Sequence, residues 1–226
     1  MISIFLNSRR RVGLLSGLLK SIKGTVSDPS NVEVLVRIDN DDSESLSLAQ
    51  SNLDLGFNIT FLTRDKPVNL HSSMNELAKL SRGDFLFVLN DDTKLVNKNW
   101  DLELSNIDFN KPYYISTEDN SVDKLSGKEY ASFPILTRAA YNTLGYFMSE
   151  KFVGLGADVH LWRVFNEAKM VQKSNIFVDH ILHRTVQDVI SPDDTAANMR
   201  ENTRMNFVDP WTIDIGEDVE KITGSL

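Results

Sequence analysis

Four apolar runs of strand length, at residues 2–6, 32–38, 59–62 and 85–89, are separated for the most part by stretches with helical spacing. That rhythm is βαβα, and it commits the chain to a mostly parallel central sheet with helices laid against it, because parallel neighbours need a crossover. The first helix is expected over residues 12–22, where Leu14, Leu15, Leu18, Leu19 and Ile22 form one stripe and Lys23 and Gly24 supply a stop. A second is expected over residues 69–80, ending just before the Gly83-Asp84 turn that leads into the fourth strand. With 226 residues, 41% of them apolar, the chain can bury one good core. One domain is therefore expected over residues 1–208, with residues 209–226 as a loose carboxyl-terminal tail.

Ligands of open α/β sheets bind beyond the carboxyl ends of the strands. Two of the four strands end in acids, the second at Asp39, Asp41 and Asp42 and the fourth at Asn90, Asp91 and Asp92. A carboxylate pair at a strand end suits Mg²⁺ or Mn²⁺, since hard cations take oxygen ligands and bridge to phosphate oxygens. Asp92 is the expected metal ligand, with Asn90 and Asp91 positioning a ribose or the metal's waters. The plainer alternative is an Asx turn and helix cap at residues 90–93. Asp39 is placed to accept the imide N–H of a uracil or the amino group of another base, or else it is a solvated turn acid. Beyond residue 107 the pattern loosens into a polar insert to residue 127, and then order returns in an apolar run at 133–136, a helix over 138–144, a helix opening at Asp158, a strand at 176–178 and a last helix over about 193–207.

Together these residues resemble the GT-A glycosyltransferases, above all glycosyltransferase family 2 and its relatives, over about residues 2–185. The resemblance rests on the opening strand with its arginine-rich turn, the strand ending at Asp39, and most of all on residues 74–78 and 83–92, which close in Asn90-Asp91-Asp92 as a version of the family's DxD motif. It implies a Rossmann-like GT-A fold, a UDP-sugar or other nucleotide-sugar donor, a glycan or other hydroxyl acceptor, transfer with inversion, and a divalent metal, Mn²⁺ or Mg²⁺. It also implies that Asp39 contacts the base, that Asp91 faces the ribose or phosphates, and that Asp92 binds the metal. Asn90 stands where the family carries a carboxylate. Asp158 matches the family's general base, which takes the acceptor's proton; its alternative is a plain helix cap. His180, with His183 as fallback, matches the histidine that gives the metal a second ligand. Arg9, Arg10, Arg11 and Arg64 are candidates for the diphosphate, Arg9 foremost, although such a run also suits a solvated helix start. Trp100, Trp162 and Trp211 suit either sugar stacking or core packing.

The charge, 24 basic residues against 32 acidic, is −8 and argues against nucleic acid as a partner. No cysteine occurs, which excludes thiolate sites and suits the cytoplasm. At the start, charge follows the apolar run where an export signal has it before, and no apolar run is long enough to span a bilayer, so work on a membrane acceptor is expected to be peripheral. Two other functions stay open on the sequence. A sugar-phosphate nucleotidyltransferase shares metal-bound acids, but the turn at residues 7–13 has a single glycine where such enzymes carry a glycine-rich loop. A non-catalytic nucleotide-sugar or glycan-binding module would keep the fold without turnover.

Overall fold

The computed structural model describes residues 1–51, 54–65, 70–120, 129–153, 155–181 and 206–226. Strand β1 (Ile2–Ser8) is buried along nearly its whole length, as a strand covered on both faces must be. It pairs in parallel with β2 (Val32–Asp39) on one side and with β4 (Phe85–Val88) on the other, and β2 pairs in parallel with β3 (Asn58–Arg64). The four expected strands are therefore present and share one direction. After β3 the chain crosses back over β1 through helix α3 (Leu70–Leu80) to reach β4, so the order of strands reverses at β1. The crevice at that reversal is where open α/β sheets bind ligands.

The second half extends the sheet to eight strands in the order β3-β2-β1-β4-β7-β6-β8-β5. Strand β7 (Ile135–Thr137) runs antiparallel to both β4 and β6 (Tyr114–Asp119), which restores the original direction in β6 and in its parallel neighbour β8 (Val171–His180). The short β5 (Thr93–Leu95) closes that edge antiparallel to β8. Part of the expected polar insert is thus strand β6, and the strand expected at 176–178 is ten residues long.

Helix α1 (Val12–Thr25) buries Leu15, Leu18, Leu19 and Ile22 on one face of the sheet, running through Gly24 to a cap at Val26. Helix α2 (Ser43–Gln50) follows β2, capped by the Asp42 carboxylate on the Ser45 N–H. The opposite face holds α3, α4 (Arg138–Leu144) and α5 (Ala157–Glu167) in a second apolar cluster around Phe5, Leu77, Tyr114, Phe147 and Phe165. Asn75 of α3 fixes that side: its amide oxygen accepts the N–H groups of Phe147 and Met148, and its amide nitrogen donates to the Met148 carbonyl. The segment expected as a loose tail instead carries helix α6 (Gly216–Gly224), which buries Ile222 and brings Asp218 to the Tyr146 hydroxyl at 2.6 Å. The helix expected over 193–207 lies almost wholly outside the described residues. Among the described residues no helix is long and apolar enough to cross a membrane.

Gly83 sits where α3 turns into β4, at the amino-terminal edge of the sheet. Its N–H donates to the Ser3 hydroxyl, which in turn donates to the buried Glu33 carboxylate. A β-carbon on Gly83 would lie 2.6 Å from the Ser3 backbone nitrogen and 3.0 Å from the Ile2 carbonyl carbon, so β1 itself would have to move. Gly83→Ala is expected to cost at least ~2 kcal/mol, read as a lowered urea midpoint; an unchanged midpoint would refute this close packing.

Candidate active site

The loops after β1 and β4 meet at the reversal point, and a charge network joins them. Asp91, directly beyond β4, is fully buried, and Asp92 is 5% exposed. Asp91 accepts from the Ser8 hydroxyl at 2.8 Å and from Arg11 Nε at 3.1 Å, and it forms a second, very short contact with the same guanidinium. Arg11 also reaches Asp92 at 3.4 Å. Burial pushes the Asp91 carboxyl up to about 6, with Arg11 and Ser8 opposing and Asp92 adding repulsion. Burial acts on Asp92 the same way, but the hydrogen bond and charge of His180, together with Arg11, outweigh it and hold that carboxyl below its ordinary value.

His180 arrives by strand register. The β5–β8 pairing sets Thr93 opposite His180, and the Ile181 N–H donates to the Asp92 carbonyl at 2.9 Å. Imidazole Nε2 consequently lies 3.4 Å from an Asp92 oxygen. The ring packs edge-on against Phe133, and the His180 N–H is held by Asn120. The structure therefore brings Asp91, Asp92 and His180 together. His183 lies outside the described residues. Asn90 is half-buried and its main-chain carbonyl accepts from both the N–H and the hydroxyl of Thr93, which closes a backbone turn; Thr93 then begins β5, so residues 90–93 turn the chain without capping a helix.

Asp39 and Arg9 occupy the neighbouring end of β2. Asp39 is 3% exposed and bonded by Arg9 and Arg37, each at 2.8 Å, which removes the solvated-turn alternative. Arg9 also forks onto Asp41. The arginine that reaches the acids of β4 is Arg11, not Arg9. Sequence reasoning placed all three in one run; φ of +51° at Arg10 turns the chain between them. Arg64 pairs with Glu76 on the surface.

Asp158 stands in the first turn of α5, behind Gly156 at φ +95°, and its carboxylate accepts its neighbour Val159's N–H at 2.9 Å. Farther along α5, Trp162 is half-buried and meets Trp211 edge-on, whereas Trp100 is core. On the inner side of α5, His160 is fully buried between Phe152 and Asp218. Among the described residues no three acids and histidines converge as a metal cage.

A mostly parallel sheet whose chain reversal is lined by strand-end acids is the arrangement found in GT-A glycosyltransferases. The profile of glycosyl transferase family 2 matches residues 3–117, more than half of the chain, and the chain belongs to that family. Its fold is similar to S. aureus TarS 1–349 in complex with UDP-GlcNAc, with a TM-score of 0.61 and 11% identity over 99% of this chain and 71% of that one. It is similar to the same degree, 0.61 and 11%, to the mannosyltransferase PcManGT from Pyrobaculum calidifontis in complex with GDP-Man and Mn²⁺, over 99% of this chain and 73% of that one. A search of the curated proteins finds no match.

Two outcomes test the electrostatics. Arg11→Met leaves Asp91 buried beside Asp92 without its counter-charge, and it is expected to cost about 3 kcal/mol in chemical denaturation, while Arg10→Met costs under ~1 kcal/mol; equal losses would refute the ranking. His160, held at about 4 mainly by burial against an ordinary 6.5, favours its neutral form in the folded state. At this group the unfolded chain thus binds more protons between those values, so the contribution of His160 to stability is constant above about 6.5 and falls as pH drops through the window. A series of thermal melts from pH 7.5 to 4.5 is expected to be shallower for His160→Gln.

Proposed function

We propose that the chain transfers a hexose from a UDP-sugar to a hydroxyl of a glycan or similar acceptor, with inversion and with the help of Mn²⁺ or Mg²⁺. The observation that carries this is the pairing of Asp92 with His180 Nε2 at the strand reversal, beside the buried Asp91. An oxygen and a nitrogen donor at that separation fit a cation that takes one or two protein ligands and completes its shell with phosphate oxygens and water. The solved neighbours support the donor class and the metal, since one binds UDP-GlcNAc and the other GDP-Man with Mn²⁺. A divalent cation held by Asp92 and His180 supplies Lewis-acid neutralisation of the departing diphosphate.

The chain's own groups do the rest. Asp39 keeps lone pairs beyond those taken by Arg9 and Arg37, and it accepts the N–H of the base. Arg9, anchored by Asp39 and Asp41, lines the donor's base and ribose side. Asn90 and Asp91 border the ribose and the phosphates. Arg11, held between Asp91 and Asp92, offers its fork to the diphosphate when a metal takes over the charge of Asp92. Asp158 takes the acceptor's proton as its oxygen bonds to the anomeric carbon, and the bond from that carbon to the diphosphate breaks on the opposite face.

Asp92→Ala is expected to abolish Mn²⁺-dependent transfer and to remove the Mn²⁺-linked rise in melting temperature seen with UDP. Asp158→Asn is expected to lower turnover by roughly 10²–10⁴ while the UDP-dependent shift survives. Full activity of the Asp92 variant, or of the unaltered chain in EDTA, sinks the metal-dependent mechanism; donor binding without any turnover would make the chain a binding module.

A further inference from the structure

Helix α5 presents the proposed base on a first turn that its own residues secure only in part. Gly156 occupies the cap position at φ +95° and brings no side chain to the free N–H groups of the helix start. The Asp158 carboxylate accepts the Val159 N–H, and the helical ladder begins with the His160 N–H on the Gly156 carbonyl at 2.9 Å. A helix start leaves four N–H groups without an intrahelical partner, so a turn without a side-chain cap opens readily. A base carried there depends on support from outside the helix.

That support comes from the far end of the chain. Arg163, about a turn and a half beyond Asp158 on α5, donates through one guanidinium nitrogen to the carbonyls of both Pro210 and Ile213. Trp162 meets Trp211 edge-on, with ring centres 6.2 Å apart. Pro210 itself lies so close to Gly156 that a β-carbon there would come within 3.1 Å of its ring. Residues 209–212 form a turn closed by the Thr212 N–H on the Asp209 carbonyl and by the Trp211 N–H on the Asp209 carboxylate. Helix α6 moors this turn, since Ile222 is fully buried and Asp218 accepts from the Tyr146 hydroxyl at 2.6 Å. Both α5 and the segment that braces it lie beyond residues 3–117, the part that the family profile matches.

We propose that Arg163 is a positioning residue for Asp158: through it the carboxyl-terminal segment braces the first turn of α5 and fixes where the base stands. This rests on Asp158 being the base of the proposed transfer. A carboxylate takes a proton only within hydrogen-bond reach of the hydroxyl, a window of less than ~1 Å, so a first turn that opens withdraws the base from its task. The donor side does not depend on the brace. Asp39, Asp91, Asp92 and His180 stand at the ends of β2, β4 and β8, whereas the hydrogen bonds of Arg163 go to Pro210 and Ile213. Loss of the brace is therefore read in turnover and not in donor binding.

Arg163→Met keeps most of the aliphatic stem and removes the donors. In hydrogen exchange read by mass spectrometry on the full chain, it is expected to speed exchange in the first turn of α5 about tenfold or more while β1 is unchanged. Its kcat is expected to fall roughly tenfold to a hundredfold, with the KM for the UDP-sugar and the Mn²⁺-linked rise in melting temperature with UDP both unaltered. Arg163→Lys, which still donates to one carbonyl, recovers part of the loss. A general structural defect would lower kcat by the same factor whatever stands at position 158, so Arg163→Met is also made in the Asp158→Asn background, where it is expected to change kcat less than about twofold. Unaltered exchange in α5, or an equal loss of kcat in both backgrounds, overturns the inference. Absence of transfer by the unaltered chain, or full activity of Asp158→Asn, is a failure of the proposed function, seen before any Arg163 variant is made, and takes this inference with it.

Discussion

The burial of the Asp91 carboxylate at the strand reversal is the constraint from which the rest of the site follows. A fully buried acid raises its own pKa and stays charged only with partners, and here the partners come from one short loop, Ser8 and Arg11. That requirement ties the end of β1 to the end of β4 more specifically than sheet pairing does. It also explains the arginine run: in a chain with net charge −8, four strand-end acids, Asp39, Asp41, Asp91 and Asp92, are met by four guanidiniums, of Arg9, Arg10, Arg11 and Arg37, within the same small region. Pairs of this kind contribute little net stability but are costly to break, so they fix geometry rather than hold the fold up.

Much of this could be read from residue order. Strands β1, β2 and β4 are short and predominantly apolar because both faces are covered, and α1 and α3 carry a clear stripe. The acids at the strand ends followed from topology alone. What escaped had weaker local signals. Helix α2 is eight residues, three of them serine and two leucine, with only Ser45 buried, and Asp42 caps its start. Strand β5 is three residues long, too short for any period, and is made by its partner β8. Strand β8 is largely polar outside residues 176–178 because much of it faces solvent.

The site shows the same division. Asp92 and His180 are 88 residues apart, and nothing local in either segment says that they touch; the β5–β8 register does. Choosing among three consecutive arginines was beyond the sequence, since the outcome turns on one residue, Arg10, entering the left-handed region and swinging Arg11 inward. Pattern resemblance supplied the expected roles, and the geometry adds which arginine of the run stands against the acids beyond β4.

Helix α5 carries Asp158, the proposed base, in its first turn. At the amino end, Gly156 takes a positive φ and leaves no room for a β-carbon, which would come within 3.1 Å of Pro210 and 3.2 Å of Phe152. Arg163 secures the same contact by donating to the carbonyls of Pro210 and Ile213, so the carboxyl-terminal segment with α6 is clamped over the start of α5 and sets the position of Asp158. Packing thus explains the glycine there. The first turn of α5, which carries Asp158, is thereby held rigidly against the carboxyl-terminal segment.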